Sequence, residues 1–363
     1  MPALARRGID AFAVAHHRFG GRFERQTAGA ADVWRIPAYG RLLYAPVSPL
    51  FPAYVNWLLA RLRPQIVHVH MPNTSVFPML ALPRLRRCRL VLHWHADVVA
   101  SPANRQLAAA YRLYRPAESH LLGRADAVIA TSTAYLNSSL PLKPWKCKCL
   151  VIPIGIDARR MNAPDDAHAA WAEQIWGHPG QFRVLSIGRL TYYKGYDLLV
   201  RAAGQTPGAK FVIAGDGEGR QQLEQRIRQR GLEAVVKWVG VVSEDQKKAL
   251  LATCDCFCLP STERTEAFGV TLLEAMCYEK PVIATNIPGS GVGWVVQPHE
   301  NGLLAQVGHV ASLAAAVGWL RQHPRRAHDM GQSGYRRMRR CFSIGSVARR
   351  IDELYMKLAE SSC

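Results

Sequence analysis

The sequence predicts an α/β protein made of two doubly wound domains. Three observations carry that reading. Short runs rich in Val and Ile alternate with helical stretches along the whole chain, as parallel strands buried on both faces do when helices connect them. The chain has 363 residues, enough for two domains at roughly 100–200 residues each. The alternation also breaks only once, at a polar segment bounded by Pro and Gly over 158–180, and then resumes.

In the first half, strands are expected over 11–15, 33–36, 66–70, 90–95, 127–131 and 150–154. Helices are expected over 52–62 and 105–122, with a short one near Ala134. In the second half, strands are expected over 182–188, 210–214, 235–240, 256–259, 281–284 and 302–305. The helices between them are 195–203, 220–229, 244–253, 270–278 and 310–321. The basic stretch from Arg325 onward reads as helical, with Met338, Phe342, Val347, Ile351, Leu354 and Tyr355 as its apolar positions. The expected divisions are therefore 1–157, a connector over 158–180 with room for one short helix, 181–340, and a terminal helix over 341–363 that can cross back to the first domain. In open α/β sheets ligands bind beyond the carboxyl ends of the strands, so the cleft between two such domains is the expected site.

Composition excludes several classes. Apolar residues make up 49% and charged residues 20%, which is globular rather than disordered. No run of 18 apolar residues occurs, so no membrane-spanning helix is expected. The 9 cysteines, in a chain with no visible export signal, read as reduced thiols of a cytoplasmic protein. Lys and Arg number 46 against 27 Asp and Glu, a net charge of +19, which calls for an anionic partner. Local clusters lie at Arg84, Arg86, Arg87 and Arg89, and at Arg336, Arg337, Arg339 and Arg340. They read either as solvated basic faces or as attraction to an anionic membrane surface, where each basic residue is worth about 1 kcal/mol. Nucleic acid is not an expected partner, because no recognition-helix or stacking pattern accompanies the charge.

Three motifs carry chemistry. The first is the run from Glu263 to Met276, in which Gly269 stands where a helix should start, Glu266 precedes it and Glu274 falls in its second turn, roughly 7 Å along at 1.5 Å per residue. The free amides of Val270, Thr271 and Leu272 would favour phosphate, and the two carboxylates could accept bonds from sugar hydroxyls. Ordinary helix capping is the plainer reading. The second motif, Gly188 to Gly195, places Arg189 and Lys194 on a strand-to-helix loop, where an Arg fork and a Lys point charge can hold a diphosphate. The third, Val91-Leu-His93-Trp-His95-Ala-Asp97, allows a metal set of His93, His95 and Asp97, but a polar lining role for His95 is preferred. Gly215-Asp-Gly-Glu-Gly219 reads as a tight turn, since it lacks dinucleotide spacing. Cys254, Cys256 and Cys258 read as core positions on one strand face rather than as ligands. His68 and His70 end another strand and either line the site or pack.

Taken together, these residues resemble the family-four nucleotide-sugar glycosyltransferases, whose GT-B architecture has two Rossmann-like domains. The resemblance covers almost the whole chain and includes Ile152-Pro-Ile-Gly-Ile-Asp157, Ala125-Asp-Ala-Val-Ile-Ala-Thr-Ser132 and Asn301-Gly-Leu-Leu304. It implies retaining transfer of a hexosyl unit with no metal and no cofactor beyond the nucleotide-sugar donor. It also implies that Arg189 and Lys194 hold the leaving diphosphate and that Glu266 contacts the donor sugar. Glu274 would hold the ribose hydroxyls and His95 would line the sugar pocket, with Gly188, Ala267, Phe268, Gly269, Val270 and Thr271 completing the donor contacts.

The run from His93 to Val99, with Tyr114-Arg-Pro116, is most similar to the mannosyl- and rhamnosyltransferases of bacterial surface polysaccharide assembly. That similarity implies a GDP-linked donor, a lipid-linked saccharide acceptor and residence on the inner face of the cytoplasmic membrane. A UDP-sugar enzyme and an inactive nucleotide-binding remnant are the alternatives. Two departures from the family pattern stand out: Ala267 occupies a position more often Gly, and Met1 falls inside the helix that follows the family's first strand and Gly-Gly loop. The first domain is therefore expected to lack its first, central strand, through a misplaced start codon or a truncated reading frame.

Overall fold

A computed structural model describes residues 1–17, 21–28, 31–42, 45–98, 105–177 and 179–360. Val99, the last residue of the His93 run, lies outside them. The chain divides into two compact units, one comprising Met1–Pro153 with Gly345–Cys363 and the other Ile154–Ile344.

In the first unit, β1 (Ala13–His16) pairs in parallel with β3 (Ala31–Ile36), and β2 (Glu24–Ala28) pairs antiparallel to β3. β4 (Arg41–Leu42) and β5 (Ala45–Pro46) form a two-stranded ribbon. β6 (Ile66–Met71), β7 (Arg89–Trp94), β8 (Ala127–Ala130) and β9 (Cys149–Val151) form a parallel sheet in that order. Instead of one continuous series of parallel strands, the described residues thus give separate sheets. The difference includes β2, whose sequence ERQTA has no apolar run to mark it and which pairs antiparallel to β3.

The terminal helix Ile344–Glu360 belongs to this unit. Its apolar positions recur every three or four residues, one face of a helix. That face places Val347 and Leu354 against Val91, Ile129 and Ile152, with Ile351, Tyr355 and Leu358 packed around them. The Arg7 guanidinium donates to Asp352 at 2.7 Å, and Arg350 donates to the carbonyl of Val151.

The second unit is a six-stranded parallel sheet. Its strands are β10 (Phe182–Ile187), β11 (Ala209–Ala214), β12 (Val236–Trp238), β13 (Cys256–Leu259), β14 (Val282–Thr285) and β15 (Gly302–Ala305), in the order β12-β11-β10-β13-β14-β15. Side chains alternate between two cores. Val184, Phe211, Ile213, Cys256 and Ile283 face one, and Leu185, Val212, Phe257, Val282 and Ala284 face the other. Period-two alternation with both faces apolar is what a strand covered by helices on each side requires.

Three expectations are corrected here. The segment 158–180 carries a short helix, as expected, but that helix is packed into the second unit. Asp165 caps the helix Asp166–Trp176, which buries Ala172 and Trp176 in the second unit's core and bonds Trp176 Nε1 to Thr253 Oγ1 at 2.8 Å. The polar residues that suggested a linker form the outer face of that helix. Cys254 does not share a face with Cys256 and Cys258. It precedes β13 and packs in the opposite core, and burial pushes all three thiols up. Arg337 is not part of a solvated basic face. It donates to the carbonyl of Trp294 at 2.6 Å and lies over the Phe342 ring. Among the described residues, no helix is long and apolar enough to cross a membrane.

Candidate active site

The order of the second unit's sheet fixes where a ligand can enter. β10 is the first strand of this unit, and β11 and β12 follow on one side of it while β13 to β15 lie on the other. The chain reverses direction of assembly between β10 and β13. In doubly wound sheets this switch point leaves a crevice beyond the strand ends, because the flanking connections leave to opposite faces. The two loops that emerge there are Gly188–Gly195 after β10 and the stretch 260–269 after β13, the loops that carry the two strongest sequence motifs.

Backbone contacts stitch these loops together. The Thr262 amide donates to the Tyr193 carbonyl at 2.7 Å, and Tyr192 donates to Glu263 at 3.1 Å. Gly195 adopts the left-handed conformation with φ 69°, and a Cβ placed there would come within 2.0 Å of the Pro260 carbonyl oxygen. Only glycine meets both demands. The Gly215–Gly219 turn supports the Arg189 loop from its other side, through Leu190 to the Asp216 carbonyl at 3.0 Å and Gly219 to the Leu190 carbonyl at 2.8 Å.

On this scaffold, Lys194 Nζ lies 2.6 Å from Glu266 Oε2. Glu266 is only 9% exposed, and Ser261 Oγ donates to the same carboxylate oxygen at 3.0 Å. Ser290 holds the Glu266 backbone carbonyl and Thr285 holds that of Ser261. The carboxylate is thus fixed from several directions, while its Oε1 has no partner among the described residues. Arg189 is exposed on the same loop. At Gly188 an added Cβ would press on the Tyr196 hydroxyl at 2.9 Å, while Lys194 Nζ would lie at ordinary contact distance.

Gly269, with φ 79°, begins the helix Val270–Cys277. A Cβ there would press on Leu272 Cδ1 at 2.7 Å. The first amides of this helix, those of Val270 and Thr271, have no intrahelical acceptor, as at any helix start, and Val270 is exposed. Ala267 and Phe268 are buried. Phe268 packs edge-on against Trp294 and Phe342, so its side chain is core and only its backbone is available to a ligand.

Glu274, on the same helix, accepts from Lys247 Nζ at 2.9 Å, and Lys247 also reaches Glu244 at 2.9 Å. Burial works to lower the Lys247 pKa, but the bonds to Glu244 and Glu274 leave it raised. Lys247 was not singled out from the sequence. Its signal was available: Ser243 and Gln246 form a reciprocal capping box that opens the helix Glu244–Thr253 and puts Lys247 on its inner face.

His95 stands in the first unit, one residue past β7, with its amide bonded to the Met71 carbonyl at 3.1 Å. Its Nε2 lies 2.7 Å from His70 Nδ1. Burial, with His70 adding to it, pushes His95 down to about 4, so the ring is neutral near pH 7. A metal set of His93, His95 and Asp97 does not form. Asp97 Oδ1 accepts from Trp94 Nε1 and Ser139 Oγ, both at 2.7 Å, and its amide donates to the Tyr135 hydroxyl at 2.6 Å. The carboxylate is a buried brace between β7 and the helix Thr133–Ser138.

Known proteins resemble this chain in sequence and in fold. Residues 172–337 match the family described as glycosyl transferases group 1, and residues 1–155 match the glycosyl transferase 4-like domain. The O-antigen chain mannosyltransferase C of Escherichia coli is 29% identical over 299 residues, 82% of this chain and 76% of that protein. The D-rhamnosyltransferase WbpZ of Pseudomonas aeruginosa is 32% identical over 254 residues, 70% of this chain and 63% of that protein. Among solved structures, the sucrose-phosphate synthase of Thermosynechococcus elongatus superposes with a TM-score of 0.81 at 23% identity, covering 99% of this chain and 91% of that one. Anabaena HepE in complex with UDP gives 0.73 at 24% identity, covering 90% and 86%. With both glycosyltransferase domains matched and the fold shared, the chain belongs to the group 1, family-four glycosyltransferases of GT-B fold.

Proposed function

We propose that this glycosyltransferase is a retaining enzyme that moves mannose or rhamnose from a GDP-sugar to a lipid-linked or saccharide acceptor in surface polysaccharide synthesis. The observation that carries the reading is the Lys194–Glu266 pair at the β10/β13 switch point, beside the exposed Arg189 and the open start of the helix Val270–Cys277. The named activities of the Escherichia coli and Pseudomonas aeruginosa relatives support the choice of sugar.

In this proposal Arg189 and Lys194 hold the diphosphate. Negative charge builds there as the bond from the anomeric carbon breaks, and cations already in place lower that barrier without reorganisation. The amides of Val270 and Thr271 add to that field. Glu266 uses its unpartnered oxygen to accept from donor-sugar hydroxyls, and Glu274 accepts from the ribose. Gly188, Ala267, Phe268 and Gly269 contribute backbone contacts, and the neutral His95 lines the sugar pocket. The cations for the leaving group come from side chains, so the transfer step is assigned no metal and no further cofactor.

In the first unit, Arg86 and Arg87 are exposed. We assign them to attraction by the anionic inner face of the cytoplasmic membrane, which co-sedimentation with phosphatidylglycerol vesicles would show at low salt and not at high salt. The function itself is tested by offering GDP-mannose and GDP-rhamnose with a lipid-linked saccharide and determining the anomeric configuration of the product by NMR. The reading requires a product whose configuration matches the donor. Inversion, or transfer from UDP-sugars alone, would contradict it.

A further inference from the structure

Four histidines of the first unit gather at the ends of β6 and β7. His70 pairs opposite His93 in the parallel register, so period-two alternation puts His68 on the same face, and His95 follows one residue past the strand. Their rings stack as a group: His93 and His95 lie 4.4 Å apart, His70 and His93 5.2 Å, and His68 and His70 5.1 Å. Packing alone would fill such a place with aliphatic side chains.

Two features point to a missing ligand. First, one ring nitrogen from each of His68, His70 and His93 lies within 4.8 Å of the other two. Second, His93 is 6% exposed, and neither of its ring nitrogens has a hydrogen-bond partner among the described residues. The Nε2 of His68 is buried and unpartnered in the same way. Buried polar atoms in folded proteins are otherwise almost always paired.

In His68 and His70 the other nitrogen is engaged as in metal-binding imidazoles, by a hydrogen bond on the far side of the ring that fixes tautomer and orientation. His68 Nδ1 meets the Tyr355 hydroxyl at 2.5 Å, and His70 Nδ1 meets His95 Nε2 at 2.7 Å. The only carboxylate nearby in sequence, Asp97, is committed to Trp94 and Ser139. An all-imidazole donor set suits zinc, copper, nickel and cobalt rather than magnesium or calcium.

We propose that His68, His70 and His93 form a binding site for one divalent transition-metal ion of the zinc class, with Tyr355 and His95 as the outer hydrogen-bonding shell. Zinc–nitrogen bonds of about 2.05 Å at tetrahedral angles set the nitrogens roughly 3.3 Å apart, so binding draws the three rings inward. The fourth position stays open on the side of His70, the exposed member of the set. The ion takes no part in holding the diphosphate. Its effect falls on His95: a metal on His70 Nε2 leaves the proton on Nδ1, which makes His95 Nε2 the acceptor and fixes its tautomer. The site also ties the terminal helix, through Tyr355, to β6.

The test uses the full chain, free of affinity tag and stripped with chelator, titrated with Zn²⁺ by calorimetry and with Co²⁺ by visible absorption. The expected result is one saturable equivalent with submicromolar affinity and the intense visible bands of low-coordinate cobalt. His70→Ala and His93→Leu should each weaken binding at least 100-fold, and Tyr355→Phe about 10-fold. His328→Ala, in the other unit, should leave binding unchanged. If His93→Leu does not fold, the exposed His70 decides through His70→Ala. Absence of a saturable equivalent, or full binding retained in His70→Ala, would overturn the proposal.

Discussion

The two units solve the same problem, ionisable side chains at the carboxyl ends of buried strands, in opposite ways. In the second unit each acidic group of the candidate site is matched with a cation, Glu266 with Lys194 and Glu274 with Lys247. In the first unit histidine meets histidine, and burial keeps the rings neutral. A paired site remains charged when buried and can exchange its internal partner for an incoming ion or hydroxyl. A neutral cluster gains nothing from an anion and is suited to a lone-pair acceptor. The contrast fits the proposal that the diphosphate of the donor is held by the second unit and that His68, His70 and His93 serve a different ligand.

The comparison can be broken most sharply at Lys194. Lys194→Ala removes a cation aimed at the developing charge and should cut turnover about 10²–10³-fold, measured as the initial rate of transfer. It also leaves the Glu266 carboxylate buried and unpaired, so unfolding should be easier by about 3 kcal/mol. Lys194→Ala combined with Glu266→Gln should recover most of that stability and none of the rate. If both return together, the pair is structural.

Next in size is Gly195→Ala. The substitution forces a Cβ against the Pro260 carbonyl in a left-handed conformation, and a cost above about 2 kcal/mol is expected in urea titration. A stability equal to that of the parent would mean that the two loops are not held as described. Asp97→Ala probes the first unit. It orphans Trp94 Nε1 and Ser139 Oγ, both bonded to that carboxylate, and should cost about 1–3 kcal/mol while leaving donor affinity in the second unit unchanged.

The smallest effect concerns pH. Glu118 is 2% exposed. Burial raises it to about 7 from its ordinary 4.5, with Asp97 adding to the rise and the Tyr111 bond and Arg115 opposing it. A carboxyl with a raised pKa holds its proton more tightly when folded. Its contribution to stability is therefore full below pH 4.5 and is lost as pH rises through 7. The melting temperature of Glu118→Gln should accordingly fall less than that of the parent over this range. Parallel profiles would place Glu118 in contact with solvent.

Much of this was legible from the chain. The strands of the second unit announce themselves because Val, Ile, Phe and Cys fill both faces, and the glycines at Gly188, Gly195 and Gly269 mark the loops that close on one another. Placing both motifs at strand ends brought their loops to one end of the sheet, but the Lys194–Glu266 pair itself was not foreseen. What was not legible depended on pairing between distant segments. β2 is polar and is marked only by its pairing with β3. The helix Asp166–Trp176 reads as a short helix within a linker until Trp176 is seen to be buried. Lys247 reaches Glu274 across 27 residues. The histidine cluster requires the β6–β7 register, which sets His70 opposite His93, and no local pattern encodes that register. Phe268 sits within the donor motif, yet its side chain belongs to the core.

The central claim is that the switch-point loops of the second unit bind a nucleotide sugar through Lys194 and Glu274. It is tested most directly by calorimetric titration of the full chain with GDP-mannose, alongside Lys194→Ala and Glu274→Ala. Saturable binding by the parent, weakened at least tenfold in each variant, about 1.4 kcal/mol, is the predicted result. Equal affinity in all three proteins, or no binding of any GDP-, UDP- or ADP-sugar by the parent, would contradict it.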